Sequence, residues 1–141
     1  MTTSEKIVIT VETTINAPID KVWDYRTNTQ HIIHWYNAAD DWHAPKAQHD
    51  FKVGGHFNYR MEAKDGSFGF DFEGDFNEII TNKKIAYSII DGRTVEIIFT
   101  VNDNGTTVTE TFQAETENAP ELQRGGWQAI LDNFKKYTET H

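Results

Sequence analysis

Glu110 is the residue of this 141-residue chain with the clearest chemical potential. It stands in phase with Val108 and Phe112, so an extended strand puts its carboxylate on the same face as two apolar side chains. A lone buried carboxylate has a raised pKa or needs a partner, such as a tyrosine hydroxyl or an arginine. There it would anchor a polar group of a ligand or serve as a general acid or base. A bulge or strand end that turns Glu110 to solvent is the other reading of the same pattern. Around it the period-two alternation gathers Phe57, Tyr59, Phe70 and Phe72 with Tyr87, Ile97, Phe99 and Phe112 on one face. Trp127, Ile130 and Phe134 would oppose them. Such rings either pack as a dry core or leave a pocket for a flat apolar guest, which Tyr59, Tyr87 and Glu110 would orient.

Other chemistry is sparser. Of six histidines, His31, His34, His43, His49 and His56 cluster in one region, and His31 with His34 would share a helical face. No H-E-x-x-H, thiolate or carboxylate completes a tetrahedral set, so no metal site is expected. Gly54-Gly55 lacks the surroundings of a phosphate loop and reads as a bend in the sheet. No serine lies in a nucleophile elbow. The residues name no reaction and no cofactor.

Composition narrows the partners. A net charge of −9 argues against nucleic acid and anionic membrane surfaces. With no cysteine, disulfides and thiolate chemistry are excluded. The stretch MTTSEKIVITVETTI has no apolar run of leader or membrane length, so a cytoplasmic protein without membrane insertion is expected. The length suits one domain spanning 1–141.

The element that must position these groups is the C-terminal stretch from Pro120 to Tyr137. Trp127, Ile130, Leu131 and Phe134 fall at i, i+3, i+4 and i+7, one apolar stripe of a long helix. Asn118 is the expected N-cap, Pro120 and Glu121 suit the first turn, and Lys135 and Lys136 suit the C-terminal end. Gly125-Gly126 within it suggests close packing against another backbone, the favoured reading, or a hinge that lets the helix move over the cavity. Upstream, Ile7 to Ile15 alternate as a first strand, and Pro18 opens a short helix with Val22 and Trp23. Thr29 to Trp35 reads as a second short helix, and Asn37 to His49 as a loop. From Asp50 on, strands around 57–61, 68–76, 85–89, 95–101 and 108–114 alternate with short turns as an antiparallel meander, making six strands with the first.

This order, with Asn16-Ala17-Pro18, Val22-Trp23, Trp35, Asp50-Phe51-Lys52-Val53-Gly54-Gly55, Asp65-Gly66, Gly74, Glu78-Ile79, Gly126-Trp127 and Leu131, resembles the family of activator of heat-shock-protein-90 ATPase homologues. That family belongs to the START and pollen-allergen-like helix-grip superfamily (SRPBCC). The resemblance covers nearly the whole chain and implies an α+β helix-grip fold. In it a curved antiparallel sheet wraps around the long C-terminal helix, with two short helices between strands 1 and 2 and a cavity between sheet and helix. Trp35, one of the motif positions, joins the candidate lining. The function expected is binding of a hydrophobic, aromatic or lipid-like small molecule. The alternatives are a chaperone ATPase regulator, with a chaperone as partner, and a cyclase- or hydratase-type enzyme using Glu110.

Overall fold

The computed structural model describes residues 7–141, so the expectation about an N-terminal leader lies partly outside the described residues. Seven strands and three helices follow the order β1 (Val8–Ile15), α1 (Ile19–Thr27), α2 (Thr29–Trp35), β2 (Trp42–His49), β3 (His56–Ala63), β4 (Gly69–Ile80), β5 (Lys84–Ile89), β6 (Thr94–Asn102), β7 (Gly105–Gln113) and α3 (Pro120–Thr140). The strands form one antiparallel sheet in the order β1-β7-β6-β5-β4-β3-β2. The last strand thus pairs with the first, and β1 and β2 are the two edges. The sheet curls into a half-barrel, with the three helices on its concave side.

Local sequence sets most of these boundaries. In β1 the alternation buries Ile9, Val11 and Ile15. Pro18 precedes α1 in an extended conformation, and its carbonyl accepts the Val22 amide at 3.1 Å. Asn28 caps α2 by accepting the Gln30 amide at 3.0 Å. Gly54 has a φ of +85°, and Gly54 and Gly55 exchange backbone hydrogen bonds with Phe76 of β4. A Cβ at Gly55 would lie 1.9 Å from the Asp50 carbonyl oxygen, so the bend needs glycine.

Two expectations are corrected. Residues 42–49 are strand β2, not loop. The pattern hides it because Pro45 sits at a register shift between His43 and Lys46, which breaks the alternation, and an edge strand tolerates both. The N-cap of α3 is Ala119, with no side-chain cap; Asn118 instead bonds Glu115 in the preceding loop.

The long helix is fastened along the exposed edge of β1. Arg124 donates to the Thr10 carbonyl at 2.9 Å, Gln128 to that of Glu12 at 3.1 Å and Lys135 to that of Thr14 at 2.6 Å. Three alternate carbonyls that have no neighbouring strand are satisfied, and the edge is closed to further pairing. Lys135 therefore acts on the sheet rather than on the end of its own helix, which runs on to Thr140. Tied to β1, α3 covers one side of the concave face, while α2 packs against β2 on the other. No helix of the described residues is long and apolar enough to cross a membrane.

Candidate functional site

The apolar stripe of α3 divides into two parts. Leu131 and Phe134 are buried, with Phe134 at 0% exposure and its ring 4.5 Å from that of Trp35. One turn or more towards the N-terminus, Gly126, Trp127 and Ile130 face an open cleft of about 930 Å³. Met61, Phe70 and Phe72 of β3 and β4 form the opposite wall. Trp35, Tyr36, Ala38 and Ala39 close one end, and at the mouth stand Asp41, Trp42, Leu122 and the loop of residues 115–118. Gln123 holds that loop to the helix: its side-chain NH2 donates to the carbonyls of Glu115 and Asn118 at 3.0 and 2.8 Å, and its carbonyl accepts the Glu115 amide at 2.9 Å.

The aromatic walls are fixed before any ligand arrives. Trp127 lies flat on Phe112, centroids 3.9 Å apart and planes 10° from parallel, and meets Phe72 edge-on at 6.0 Å. Tyr36 packs on Tyr59 at 5.3 Å and on Phe72 at 6.0 Å. The Trp35 indole N–H donates to the Tyr25 carbonyl at 3.1 Å, and Asn133 donates to the Trp35 carbonyl at 2.8 Å. Rings held on several sides need little reordering to accept a guest.

Glu110 lies at the floor. β7 pairs with both β1 and β6 in unbroken register, opposite Val11 and Ile97, so no bulge rotates the side chain outward. The residue is 9% exposed and lines the cleft. Burial raises its pKa, opposed by the positive charge of Arg26. Arg26 is itself buried on α1, with its guanidinium 5.6 Å from the centre of the Trp35 ring. Neither residue belongs to any ion pair among the described residues. Three tyrosines complete the polar cluster. Burial pushes the Tyr59 hydroxyl up to about 12, against the pull of Arg26, and pushes those of Tyr36 and Tyr87 up as well. Tyr59 bonds His49 Nδ1 at 2.8 Å, whereas the buried Tyr87 hydroxyl has no partner among the described residues. A buried hydroxyl without a hydrogen bond is costly to keep without a use.

Of the candidate residues, Trp35, Phe70, Phe72, Glu110, Trp127 and Ile130 line the cleft. Phe57, Tyr59, Tyr87 and Ile97 are buried among the strands, and Phe99, Phe112 and Phe134 pack behind the wall. Sequence reasoning missed Tyr36 and Arg26. Arg26 had a usable signal, since it follows Val22 by four residues and shares its buried helical face. Tyr36 lies just beyond α2, where helical spacing no longer applies.

The glycine expectation is corrected here. A Cβ at Gly125 or Gly126 would meet nothing within 4 Å, so neither glycine serves close backbone packing. Gly126 instead leaves space on the cleft wall. His31 and His56 are occupied as ring and hydrogen-bond partners: His31 stacks on Tyr25 at 4.0 Å and bonds the Tyr137 hydroxyl, and His56 bridges Asp75 and Glu73. Among the described residues no group of three metal-ligating side chains forms.

Comparison with known proteins agrees with this architecture. The family model described as Activator of Hsp90 ATPase homolog 1-like protein matches residues 16–139. The solution structure of the AHSA1-like protein from Aeromonas hydrophila is 42% identical, with a TM-score of 0.90 over 95% of this chain and 93% of that one. Chr148 from Cytophaga hutchinsonii is 47% identical, with a TM-score of 0.79 over 96% and 92% of the two chains. Protein CV1439 from Chromobacterium violaceum shares the fold at 19% identity, with a TM-score of 0.84 over 94% and 96%. No curated protein matches the sequence.

Proposed function

The chain belongs to the Activator of Hsp90 ATPase homolog 1-like family, and we propose that it is a small-molecule binding protein whose ligand, flat and largely apolar, occupies the cleft between sheet and α3. The observation that carries this reading is Glu110: a carboxylate 9% exposed, without an ion-pair partner, at the floor of an aromatic-walled cleft. A volume of about 930 Å³ suits a ligand of drug-like size. Burying about 200 Å² of apolar guest surface at roughly 25 cal/mol per Å² gives about 5 kcal/mol before association costs. Those costs keep affinity near micromolar unless Glu110 or a tyrosine adds a hydrogen bond. A chain without cysteine and with a net charge of −9 suits work in the cytoplasm away from nucleic acid.

Titration with 2-naphthalenemethanol, followed by amide chemical shifts, tests the reading. Perturbation should gather at Tyr36, Met61, Phe72, Trp127 and Ile130 and saturate at one site. Shifts scattered over the outer face, or none at millimolar probe, would reject it.

The family description supports a second reading, regulation of a chaperone ATPase. Phe68 and Leu122 are exposed large apolar side chains, Leu122 at the cleft mouth, and they offer a protein partner a foothold. Stimulated ATP turnover by the chaperone would support this reading, and unchanged turnover at saturating protein would end it.

A further inference from the structure

The charges around the cleft are predominantly negative. Asp41, Asp91, Glu115 and Glu117 stand along its rim and Glu110 at its floor. The one basic side chain among the lining residues, Arg93, is held by Asp91, its Nε donating to the carboxylate at 2.7 Å. Glu115 accepts hydrogen bonds only from neutral donors, the backbone of Glu117 and Asn118 and the Asn118 amide, and meets the charge of Arg93 at longer range. Arg26, over the Trp35 ring, does not line the cleft, although its charge acts on Glu110.

Resting on the binding reading above, we propose that the ligand class is cationic: a flat aromatic or apolar body bearing a protonated amine, its ring against Trp127 and Phe72 and its ammonium directed to Glu110. A concave site lined by one sign of charge raises the local concentration of the opposite sign and speeds its entry. The walls add to this, because the half-buried ring of Trp127 attracts an ammonium that has shed water. A buried carboxylate without an ion-pair partner gains more from a charged donor than a neutral hydroxyl supplies. An anionic guest would meet five carboxylates and one arginine already engaged. Fatty acids and other carboxylates are thus disfavoured, although the apolar walls alone would admit them.

Three probes of nearly equal shape separate the terms: 2-naphthylmethylamine, 2-naphthalenemethanol and 2-naphthoate, each titrated by amide chemical shifts at low and high salt. The amine should bind at least about tenfold tighter than the carboxylate at the same residues, and the gap should narrow with salt. Glu110→Gln should reduce the amine's advantage over the alcohol. Glu117→Gln, on an exposed rim residue, should reduce that advantage less than Glu110→Gln does, and only in its salt-dependent part. If the alcohol or carboxylate binds in the cleft as tightly as the amine, the cationic class is wrong while the binding reading stands. If no probe perturbs the cleft, both fall. An amine that shifts only surface residues outside the cleft likewise overturns the proposal.

Discussion

The C-terminal half of α3 and its N-terminal half face the same sheet and meet it differently. Both halves are tied to the edge of β1, but around Leu131 and Phe134 Trp35 also fills the space beyond. Around Gly126, Trp127 and Ile130 the sheet curls away, and Phe70, 40% exposed, marks how far the β4 wall stands from cover. One stripe of identical periodicity thus produces a core at one end and a cleft at the other. Burial on a helix depends on what opposes it, and here the opposition ends where α2 ends and the rings of β3 and β4 begin.

Substitutions on the two halves should part the two regimes. Phe134→Ala should destabilise the fold by about 3–5 kcal/mol, because a fully buried ring leaves a cavity that packed neighbours cannot fill. Trp127→Ala should cost about 1–2 kcal/mol, since the half-buried indole loses its stack on Phe112 but opens onto space already present. Urea denaturation of both variants measures the difference, and equal losses would mean the cleft wall is core.

Added bulk gives a smaller contrast. Phe57→Trp, at a buried position packed against Tyr59, Phe76 and Tyr87, should lose about 1–3 kcal/mol by overpacking. Phe72→Trp projects into the cleft and should change stability by less than about 1 kcal/mol while weakening binding of 2-naphthalenemethanol. A loss beyond about 2 kcal/mol at Phe72 would show that the cleft is closed in solution.

Glycines sharpen the same line. Gly126→Ala should stabilise α3 by about 1 kcal/mol, because its Cβ meets nothing and alanine is the better helix former. It should also weaken binding, since the methyl enters the cleft. Gly125→Ala, on the exposed side, should match the gain in thermal unfolding and leave binding unchanged. Identical binding in both variants would remove Gly126 from the wall.

Much of this was legible in the sequence. The alternation placed Phe57, Tyr59, Val108 and Phe112 inward, and the stripe of α3 emerged intact, because regular periods reflect regular burial. β2 was not legible, since a proline at a register shift on an edge strand erases the period that would reveal it. The division of α3 into packed and open halves was invisible for another reason. Periodicity reports that a side is apolar, whereas the gap opposite depends on sheet curl and on where α2 stops. Glu110 lay between these cases: the pattern offered inward and outward readings, and the pairing of β7 with strands on both sides decides for inward.

That placement has a signature in the pH dependence of stability, the smallest effect expected and the most specific. Burial raises the Glu110 pKa above the ordinary glutamate value of 4.5, and the opposing charge of Arg26 does not cancel it. The folded protein therefore holds the proton more tightly than the unfolded chain does. Glu110's contribution is fully present below 4.5, is lost as pH rises through the folded value, and is constant beyond it. His49 acts oppositely: burial, then Arg26, lower its pKa, so stability is lost as pH falls below 6.5. Comparing wild type with Glu110→Gln cancels the His49 contribution, because both proteins carry it. The difference between their unfolding free energies, measured from pH 4 to pH 8, should then move in favour of the glutamine variant as pH rises. A ligand with a protonated amine should reverse that trend by repairing the charge in the wild type alone. A difference that stays flat from pH 4 to pH 8 would mean that Glu110 reaches water, and the polar floor of the cleft would go with it.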